Sequence, residues 1–576
     1  MNFLIALLVG AASAFAFQPV GLWPLMPVAF AILCEMIARA PSLSRALLIG
    51  WGFGVGQFCV GLNWIATAFT FQAAMPAWLG WIAVVLLSLY LAVYPMLAVG
   101  LAWRFGQKHL LALVLALAGG WAITEWLRAT MFTGFAWNPV GLALVDTAWR
   151  ETGATIGTYG LSLLIALAGG MIWLATRREW HAPLAFIAVA ALLLALPDPR
   201  VFDGDPRVLR AFDVTGKVHR VNADRAPPTE IEAVTPPPAP TIGNPQPTPR
   251  NAPPPSAPYN PPPPAPLGPH SALNTGAVRI VQPNIGQADK WREGFDRIAA
   301  ARLAGLSTRP FADNGFPADT LFWPEAAVTE PLVDERIVAA RQVAFERRAA
   351  VSSIVPGQLL ATGGLGLTSA DGMRVDGVTN SVFVLDSGGM IVGRYDKAHL
   401  VPYGEYLPMR PLLSAIGLSR LAPGDLDFRA GPGPRTLPLP NGLKMGVQIC
   451  YEIIFSGEVV DRTNRPDYIF NPSNDAWFGS WGPPQHLAQA RLRAAEEGLP
   501  IIRATPTGIS AMIDASGRLV ASIPAGKASV IDIGLPMKAM APTPFARAGN
   551  VIPLVLAFLA LIAAIALDRR RRYRQT

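Results

Sequence analysis

The chain has 576 residues, of which 52% are hydrophobic and 15% charged, and its mean hydropathy is +0.35. This apolar excess excludes an ordinary soluble globular protein and predicts a membrane protein. The formal net charge is +8, but much of the basic excess flanks apolar stretches, so it does not indicate nucleic-acid binding.

The apolar residues are concentrated before residue 197 and after residue 549. A helix needs roughly 20 apolar residues to cross the hydrocarbon core of a bilayer. The first run ends in small residues that a signal peptidase could cleave, but no Lys or Arg precedes it, so we expect a retained helix. Eight spans are predicted, at residues 2–17, 20–37, 46–71, 78–103, 110–127, 155–176, 182–196 and 549–567.

Basic residues near the span ends predict the orientation of the chain in the membrane, because cytoplasmic connections are enriched in Lys and Arg. The pattern predicts cytoplasmic termini and places residues 197–548 outside the cytoplasmic membrane. The basic residues fall in alternate connections and in the C-terminal tail: Arg39, Arg45, Arg104, Lys108, Arg177, Arg178, Arg569, Arg570, Arg571, Arg572 and Arg574.

Composition divides the chain into four predicted parts. A transmembrane helical bundle at 1–197 is followed by a connection at 198–276, whose Pro-rich tract at 226–269 cannot bury a core and is predicted to be a spacer. An α/β domain is predicted at 277–540, and the last span with its basic tail occupies 541–576. Within the α/β domain we expect strands at 278–281, 320–322, 381–385, 390–392, 443–449 and 468–471, helices at 297–304 and 334–349, and hairpin turns at 386–389 and 514–517.

Three cysteines are present, and two of them, Cys34 and Cys59, lie in predicted spans, where a thiol usually packs as a small hydrophobe. Cys450 is the one cysteine of the predicted α/β domain and follows an apolar strand. It is either a nucleophile or a buried structural thiol, and composition alone leaves both open.

A nucleophilic thiol needs a base and a positive neighbour. Glu325 follows the apolar strand at 320–322, where Trp323 and Pro324 could desolvate the carboxylate and make it a base. Lys397 follows another predicted strand and could stabilise an oxyanion. Each residue alone is more often a solvated residue at a strand end.

Together the motifs resemble the apolipoprotein N-acyltransferase family, a membrane-embedded branch of the nitrilase superfamily. The likeness covers nearly the whole chain and rests on Phe-Trp-Pro-Glu at 322–325, Tyr-Asp-Lys-Ala-His at 395–399, Pro-Tyr-Gly-Glu at 402–405, Ile-Cys-Tyr-Glu at 449–452, Glu-Trp-Leu-Arg at 125–128 and Asn-Asp-Ala-Trp-Phe-Gly at 474–479. Departures from the family pattern are the length of the Pro-rich tract, Pro506 and Thr507 in place of common Asn residues, and Phe545 in place of a frequent Tyr.

The resemblance implies a transmembrane bundle joined to an extracytoplasmic αββα sandwich. It implies Glu325 as general base, Lys397 as oxyanion stabiliser and Cys450 as acyl-carrying nucleophile. Further residues implied near the site are Glu405, as a second essential acid, and Tyr451 and Glu452 beside the nucleophile, with the Tyr451 N–H a second oxyanion donor. Alternatively, both residues have structural roles only, Tyr451 as a packing aromatic and Glu452 as a charge buried against a Lys or Arg.

The implied reaction moves an acyl chain from a membrane phospholipid, through a Cys450 thioester, to the amine of a diacylglyceryl-cysteine apolipoprotein in the bacterial inner membrane. We expect a monomer in the bilayer that uses no organic cofactor. We also expect no metal, because the histidines lack ligand-spaced partners. Trp477, Phe478 and Trp481 are candidate lipid contacts or lids, or simply packed side chains. Two alternatives stay open: a membrane-anchored amidase that transfers to water, and a transporter, which the scarcity of charges in the spans disfavours.

Overall fold

The computed structural model describes residues 2–71, 76–195, 210–212, 218–219, 276–290, 292–310, 318–415, 426–534 and 541–573. Five helical stretches are long and apolar enough to cross a membrane: Leu43–Gly61, Leu79–Gly106, Leu110–Thr130, Ala148–Thr176 and Val551–Arg569. Shorter apolar helices run over Asn2–Ala16, Leu25–Ala38 and His181–Leu192. Each of these eight stretches overlaps one of the eight predicted spans, while the number that cross the bilayer stays a prediction.

The third predicted span, 46–71, extends too far. Its helix, Leu43–Gly61, ends at a glycine and is followed by the short helix Ile65–Ala68 and the 3-10 turn Phe69–Phe71. Glycine is a poor helix former, and the chain beyond it instead packs the Trp64 ring against Trp137, with ring centroids 4.5 Å apart. Tertiary packing therefore overrides the continuous apolar pattern.

Fifteen strands form two sheets in the part of the chain that the structure describes. The first sheet has the order β2-β1-β15-β3-β4-β6-β7-β8, with β5 paired to β6, and the second has the order β14-β13-β12-β11-β10-β9. The strands are β1 Arg210–Phe212, β2 Val218–His219, β3 Ala277–Gln282, β4 Thr320–Phe322, β5 Val333–Asp334, β6 Leu359–Thr368, β7 Gly377–Leu385, β8 Ile391–Asp396, β9 Thr436–Pro438, β10 Lys444–Val447, β11 Tyr468–Pro472, β12 Ile501–Ala504, β13 Ser510–Ile513, β14 Leu519–Ile523 and β15 Ser529–Gly534.

All six expected strands are present, and both predicted hairpin turns join neighbouring antiparallel strands, β7 to β8 and β13 to β14. The expected helix at 334–349 begins too early. Asp334 lies in β5 and pairs with β6, and the α-helix runs over Ala340–Ala350 after a 3-10 turn. Two short strands, β1 and β2, lie within the stretch expected to be a connection, and β1 pairs with β15. The Pro-rich tract at 226–269 lies outside the described residues.

The two sheets pack face to face and share an apolar core, in which Phe322 of the first sheet contacts Phe470 of the second at 4.8 Å between ring centroids. The helices Phe295–Ser307 and Ala340–Ala350 cover the outer side of the first sheet, and Gly482–Glu497 covers the second. The order of layers is helix, sheet, sheet, helix, the αββα sandwich expected.

The helical bundle and the sandwich are joined by a buried polar contact. The helix Gly153–Thr176 is kinked at Gly157, whose φ of 64° is a conformation that L-residues rarely adopt. A side chain there would also meet the ring of Phe545. Beyond the kink, Glu496 of the sandwich accepts from the backbone N–H of Thr158 at 2.6 Å and from its hydroxyl at 2.7 Å. The carboxylate thereby satisfies the backbone N–H that the kink releases from the helix ladder.

Candidate active site

Three strand ends bring the predicted catalytic residues together. Glu325 follows β4, where Pro324 cannot donate to the strand ladder. The turn that carries Glu325 lies so close to β6 that a side chain on Gly363 would collide with the backbone of Pro324, Glu325 and Ala326. Lys397 directly follows β8, and its N–H donates to the Asn380 carbonyl at 2.9 Å. Both side chains point into the sandwich and are less than a tenth exposed.

Lys397 lies between two carboxylates. Its Nζ is 2.9 Å from Glu405 and 4.0 Å from Oε1 of Glu325. Asn380 Nδ2 donates to both acids, at 2.8 Å to Glu325 and 2.9 Å to Glu405, and so fixes their separation. Burial lowers the pKa of Lys397, but the charges of Glu405 and Glu325 more than offset this and raise it above its ordinary value. The lysine is therefore a permanently charged ammonium at neutral pH.

Cys450 is the first residue of the 3-10 turn Cys450–Ile454, which follows β10, and it is 6% exposed. Its φ of 51° lies in the left-handed region that side chains other than those of Gly, Asn and Asp rarely occupy. Burial and the charge of Glu325 raise the pKa of the thiol well above its ordinary value, while Lys397 opposes them. The resting sulfur is thus a neutral thiol, and attack requires a base.

Behind Cys450 lies a fully buried polar cluster of Asp475, His486 and Arg503. Arg503 Nη2 donates to both carboxylate oxygens of Asp475, at 2.8 and 2.7 Å, and lies 3.1 Å from His486 Nδ1. His486 Nε2 faces the backbone carbonyl of Cys450 at 3.0 Å. Burial and the positive charge of Arg503 lower the pKa of His486, which favours a neutral ring. Because a carbonyl oxygen can only accept, Nε2 carries a proton, while Nδ1 lies 3.0 Å from Oδ1 of Asp475.

Glu452 supports the loops around the nucleophile, and the neighbouring Tyr451 is buried, with its Oη donating to the Gly134 carbonyl at 3.3 Å. Oε1 of Glu452 accepts from Tyr395 Oη at 2.8 Å and from the N–H groups of Ala398 and His399, and its Oε2 accepts from Ile449 N. Burial raises the pKa of Glu452 to about 7, against the opposing effect of these donors. One carboxylate thus ties the loop after Lys397 to the turn that carries Cys450.

The comparisons with known proteins cover both halves of the chain. Residues 9–171 match the family model described as the apolipoprotein N-acyltransferase N-terminal domain, and residues 277–545 match that of carbon-nitrogen hydrolase. The apolipoprotein N-acyltransferase of Rhodopseudomonas palustris is 33% identical over 98% of this chain and 95% of its own length. That of Caulobacter vibrioides is 34% identical over 97% of this chain and 92% of its own. The chain belongs to the apolipoprotein N-acyltransferase family.

Among solved structures, the carbon-nitrogen hydrolase from Helicobacter pylori aligns with 45% of this apolipoprotein N-acyltransferase family member and 89% of its own chain. Its sequence identity is 14% and its TM-score 0.32. The family and the apolar helices together indicate an acyltransferase of the inner membrane.

The three aromatic residues expected at the substrate side all contact the membrane half of this family member. Trp477 lies 5.7 Å from Phe71, and Trp481 lies 6.0 Å from Phe15. Phe478 packs on Trp64 at 4.7 Å and also contacts Trp137 and His486. All three are partly exposed. Phe478 is thus held by packing, while the substrate-binding roles stay predictions.

Sequence reasoning overlooked two residues of this acyltransferase site, Asn380 and His486. Asn380 lies between Thr379 and Ser381, in a polar run within the mostly buried strand Gly377–Leu385, which is a detectable sign of a buried hydrogen-bonding role. In the sequence, His486 stands out only as a possible metal ligand, for which it lacks a spaced partner. Pro506 stands where Asn is common in the family. Its carbonyl accepts from Ile285 N at 3.1 Å, so this position still provides a hydrogen-bond acceptor next to the site.

Proposed function

We propose that this protein transfers an acyl chain from a membrane phospholipid to the N-terminal amine of diacylglyceryl-cysteine apolipoproteins, through a thioester on Cys450. Membership in the apolipoprotein N-acyltransferase family supports N-acylation of lipoproteins. The observation that carries the residue assignment is the buried grouping of Glu325, Lys397 and Cys450, whose charges act on one another.

In the first half-reaction Glu325 is the general base. As the Cys450 sulfur attacks the ester carbonyl of the phospholipid, its proton passes to Glu325 and a carbon–sulfur bond forms. The proton then moves from Glu325 to the leaving oxygen as the carbon–oxygen bond breaks, which releases lysophospholipid. The raised pKa of the thiol supports this assignment, because proton removal must accompany attack.

Lys397 stabilises the oxyanion of the tetrahedral intermediate. Its position between Glu405 and Glu325 keeps the ammonium charged although it is only 1% exposed. A buried charge acts on a developing oxyanion more strongly than a solvated one. Glu405 accordingly has a different role from Glu325, as the counter-ion of the lysine.

In the second half-reaction the apolipoprotein amine attacks the thioester carbonyl. Glu325 takes a proton from the attacking nitrogen, the carbon–sulfur bond breaks, and the sulfur regains a proton as the amide forms. Contact between the aromatic loop at 477–481 and Phe15, Trp64 and Phe71 of the bundle supports delivery of both lipid substrates from the membrane.

Intact-mass measurement of the protein incubated with phospholipid, without an amine acceptor, tests this proposal. The wild type should gain one acyl mass, Cys450→Ala should gain none, and Cys450→Ser should be severely impaired because a hydroxyl ionises far less readily than a thiol. Acylation of Cys450→Ala at the wild-type rate would refute the mechanism. Release of free fatty acid in preference to acylated lipopeptide, when an amine acceptor is supplied, would favour an amidase instead.

A further inference from the structure

The nucleophile is held through its main chain on two sides. Asn471 Nδ2 donates to the Gln448 carbonyl at 2.7 Å, two residues before Cys450, and His486 Nε2 donates to the Cys450 carbonyl at 3.0 Å. Asn471 in turn accepts from Arg503, which also donates to Asp475. One buried network therefore fixes the peptide groups on both sides of the nucleophile.

The hydrogen bond to Cys450 constrains the next peptide group. A peptide unit is planar and trans, so the carbonyl of Cys450 and the N–H of Tyr451 point in opposite directions. This N–H also precedes the first hydrogen bond of the 3-10 turn, which runs from Glu452 N to the Ile449 carbonyl at 3.2 Å. Holding the carbonyl toward His486 therefore directs the Tyr451 N–H away from His486, within the same peptide plane.

We propose that His486 is a positioning residue that sets the second oxyanion donor, the backbone N–H of Tyr451, by holding the Cys450 carbonyl. The inference rests on the proposed function, in which an oxyanion forms on the carbonyl attacked by Cys450. His486 itself touches no reacting atom. It acts through the orientation of one peptide plane, while Lys397 supplies the other, charged stabilising group.

The surroundings of His486 suit this role. The ring is fully buried, and Trp137 and Phe478 flank it at 5.2 and 5.8 Å between ring centroids. Nδ1 faces both Oδ1 of Asp475, at 3.0 Å, and Nη2 of Arg503, at 3.1 Å, so the two ring nitrogens have different partners. These contacts hold the ring with Nε2 toward the Cys450 carbonyl.

Two substitutions of His486 test the hydrogen bond to the Cys450 carbonyl separately from the other contacts of the ring. In His486→Gln, an amide N–H can reach the position of Nε2 and donate to the Cys450 carbonyl. In His486→Asn, the shorter side chain reaches only the position of Nδ1, so it can meet Asp475 and Arg503 but not the carbonyl. The two variants have the same polar group and differ in whether that group can reach the Cys450 carbonyl.

The two variants should be compared with wild type in two reactions of the same sulfur. Acylation by phospholipid, or by a p-nitrophenyl ester as second donor, passes through an oxyanion. Alkylation by iodoacetamide displaces iodide from carbon and forms no oxyanion, so it reports only on an accessible, ionisable thiol in a folded site.

For His486→Asn we expect the rate of acylation to fall by up to ~100- to 1,000-fold, which is the cost of losing an oxyanion donor in other enzymes. The rate of alkylation should not change. His486→Gln should recover most of the acylation rate. Equal loss of acylation and alkylation in His486→Asn, no effect on either, or no recovery in His486→Gln would each overturn the inference.

The results with wild type distinguish a failure of the proposed function from a failure of the role proposed for His486. If wild type is acylated and the His486 variants behave like it, only the role of His486 fails. If wild type is acylated by the p-nitrophenyl ester but not by phospholipid, the donor is wrong, and His486 is still tested with the ester. If neither donor acylates Cys450, both proposals fail.

Discussion

Lys397 and Glu405 form a buried ion pair, with the lysine Nζ 2.9 Å from the carboxylate, whereas Glu325 lies 4.0 Å from the same nitrogen. The two acids are therefore not equivalent. Glu405 also accepts from the Val401 N–H at 2.8 Å and from Asn380. Glu325 accepts from Asn380 and from the Asn474 N–H at 2.6 Å but does not contact the lysine as closely, which supports the proposal that Glu325, and not Glu405, transfers the proton.

Glu405→Gln should therefore lower both stability and activity. Removing one partner of a buried ion pair typically costs about 3–5 kcal/mol of unfolding free energy. Because Glu405 raises the pKa of Lys397 against the effect of burial, its loss should lower that pKa. The ammonium is then lost at lower pH, and the alkaline limb of the activity profile should move to lower pH. Unfolding temperature in detergent and a pH profile measure these effects.

The exposed Glu330 offers the matched control, since Glu330→Gln removes an equal charge from the surface. An alkaline limb in Glu405→Gln that coincides with that of the control would contradict the assigned pairing.

Glu325→Gln and Lys397→Met should have opposite effects on alkylation of Cys450, although both should slow acylation. The negative charge of Glu325 raises the pKa of the thiol and the positive charge of Lys397 lowers it. Iodoacetamide should accordingly react faster with Glu325→Gln than with wild type near neutral pH, and slower with Lys397→Met. Acylation should fall about 100- to 10,000-fold without the base.

Rates of alkylation and of acyl-enzyme formation, followed by intact mass, measure both reactions. The Glu325 assignment would be withdrawn if Glu325→Gln acylated normally, and Glu405 would become the first candidate for the base.

Much of this site could be predicted from motifs, because Glu325, Lys397 and Cys450 each follow a strand and strand ends of one domain tend to meet. The fold class followed from apolar runs and from strands alternating with helices. The contact between Asp475 and His486 could not be predicted in this way, since 11 residues separate them and only the docking of the helix Gly482–Glu497 brings them together. Likewise, the early end of the helix Leu43–Gly61 depends on packing of Trp64 against distant residues.

Glu452 should make stability depend on pH in a defined window. Burial raises its pKa from the ordinary 4.5 to about 7, so the folded protein favours the neutral form. The stability this group contributes is fully present below about pH 4.5 and is lost as pH rises to about 7. Glu452→Gln is neutral at every pH, so it should lack this part of the dependence.

The variant is expected to be less stable at low pH, because its amide N–H would face a donor such as Ile449 N. The difference in unfolding temperature between wild type and Glu452→Gln should then shrink between pH 4.5 and 7. A difference that stays constant over that window, as expected for Glu330→Gln, would show that Glu452 is ionised throughout.

The orientation predicted from the basic residues places residues 197–548 outside the cytoplasmic membrane and both termini inside. A reporter that is active only outside, fused within the connection near Pro249, should be active, and the same reporter fused after the C-terminal basic tail should be inactive. The reverse pattern would place the α/β domain in the cytoplasm and would contradict the proposed supply of lipid substrates.

Trp477 and Phe478 should differ in what their loss impairs. Phe478 packs against Trp64 and Trp137 within the core shared by bundle and sandwich, so Phe478→Ala should mainly lower the unfolding temperature. Trp477 contacts Phe71 at the bundle, where an acyl chain could replace or extend that contact. Trp477→Ala should therefore raise the KM for phospholipid roughly 2- to 10-fold, equivalent to the ~0.5–1.5 kcal/mol of an aromatic contact, with little change in stability.

Kinetics with phospholipid in mixed micelles, at a fixed lipopeptide acceptor concentration, measure this difference. Trp180, which is exposed and belongs to a connection predicted to be cytoplasmic, provides the control through Trp180→Ala. Equal KM values for Trp477→Ala and Trp180→Ala would remove Trp477 from the donor site and leave it a packed side chain. A rise in KM for Trp477→Ala alone, with kcat kept, requires contact with the bound donor, because loss of packing alone would lower the unfolding temperature instead.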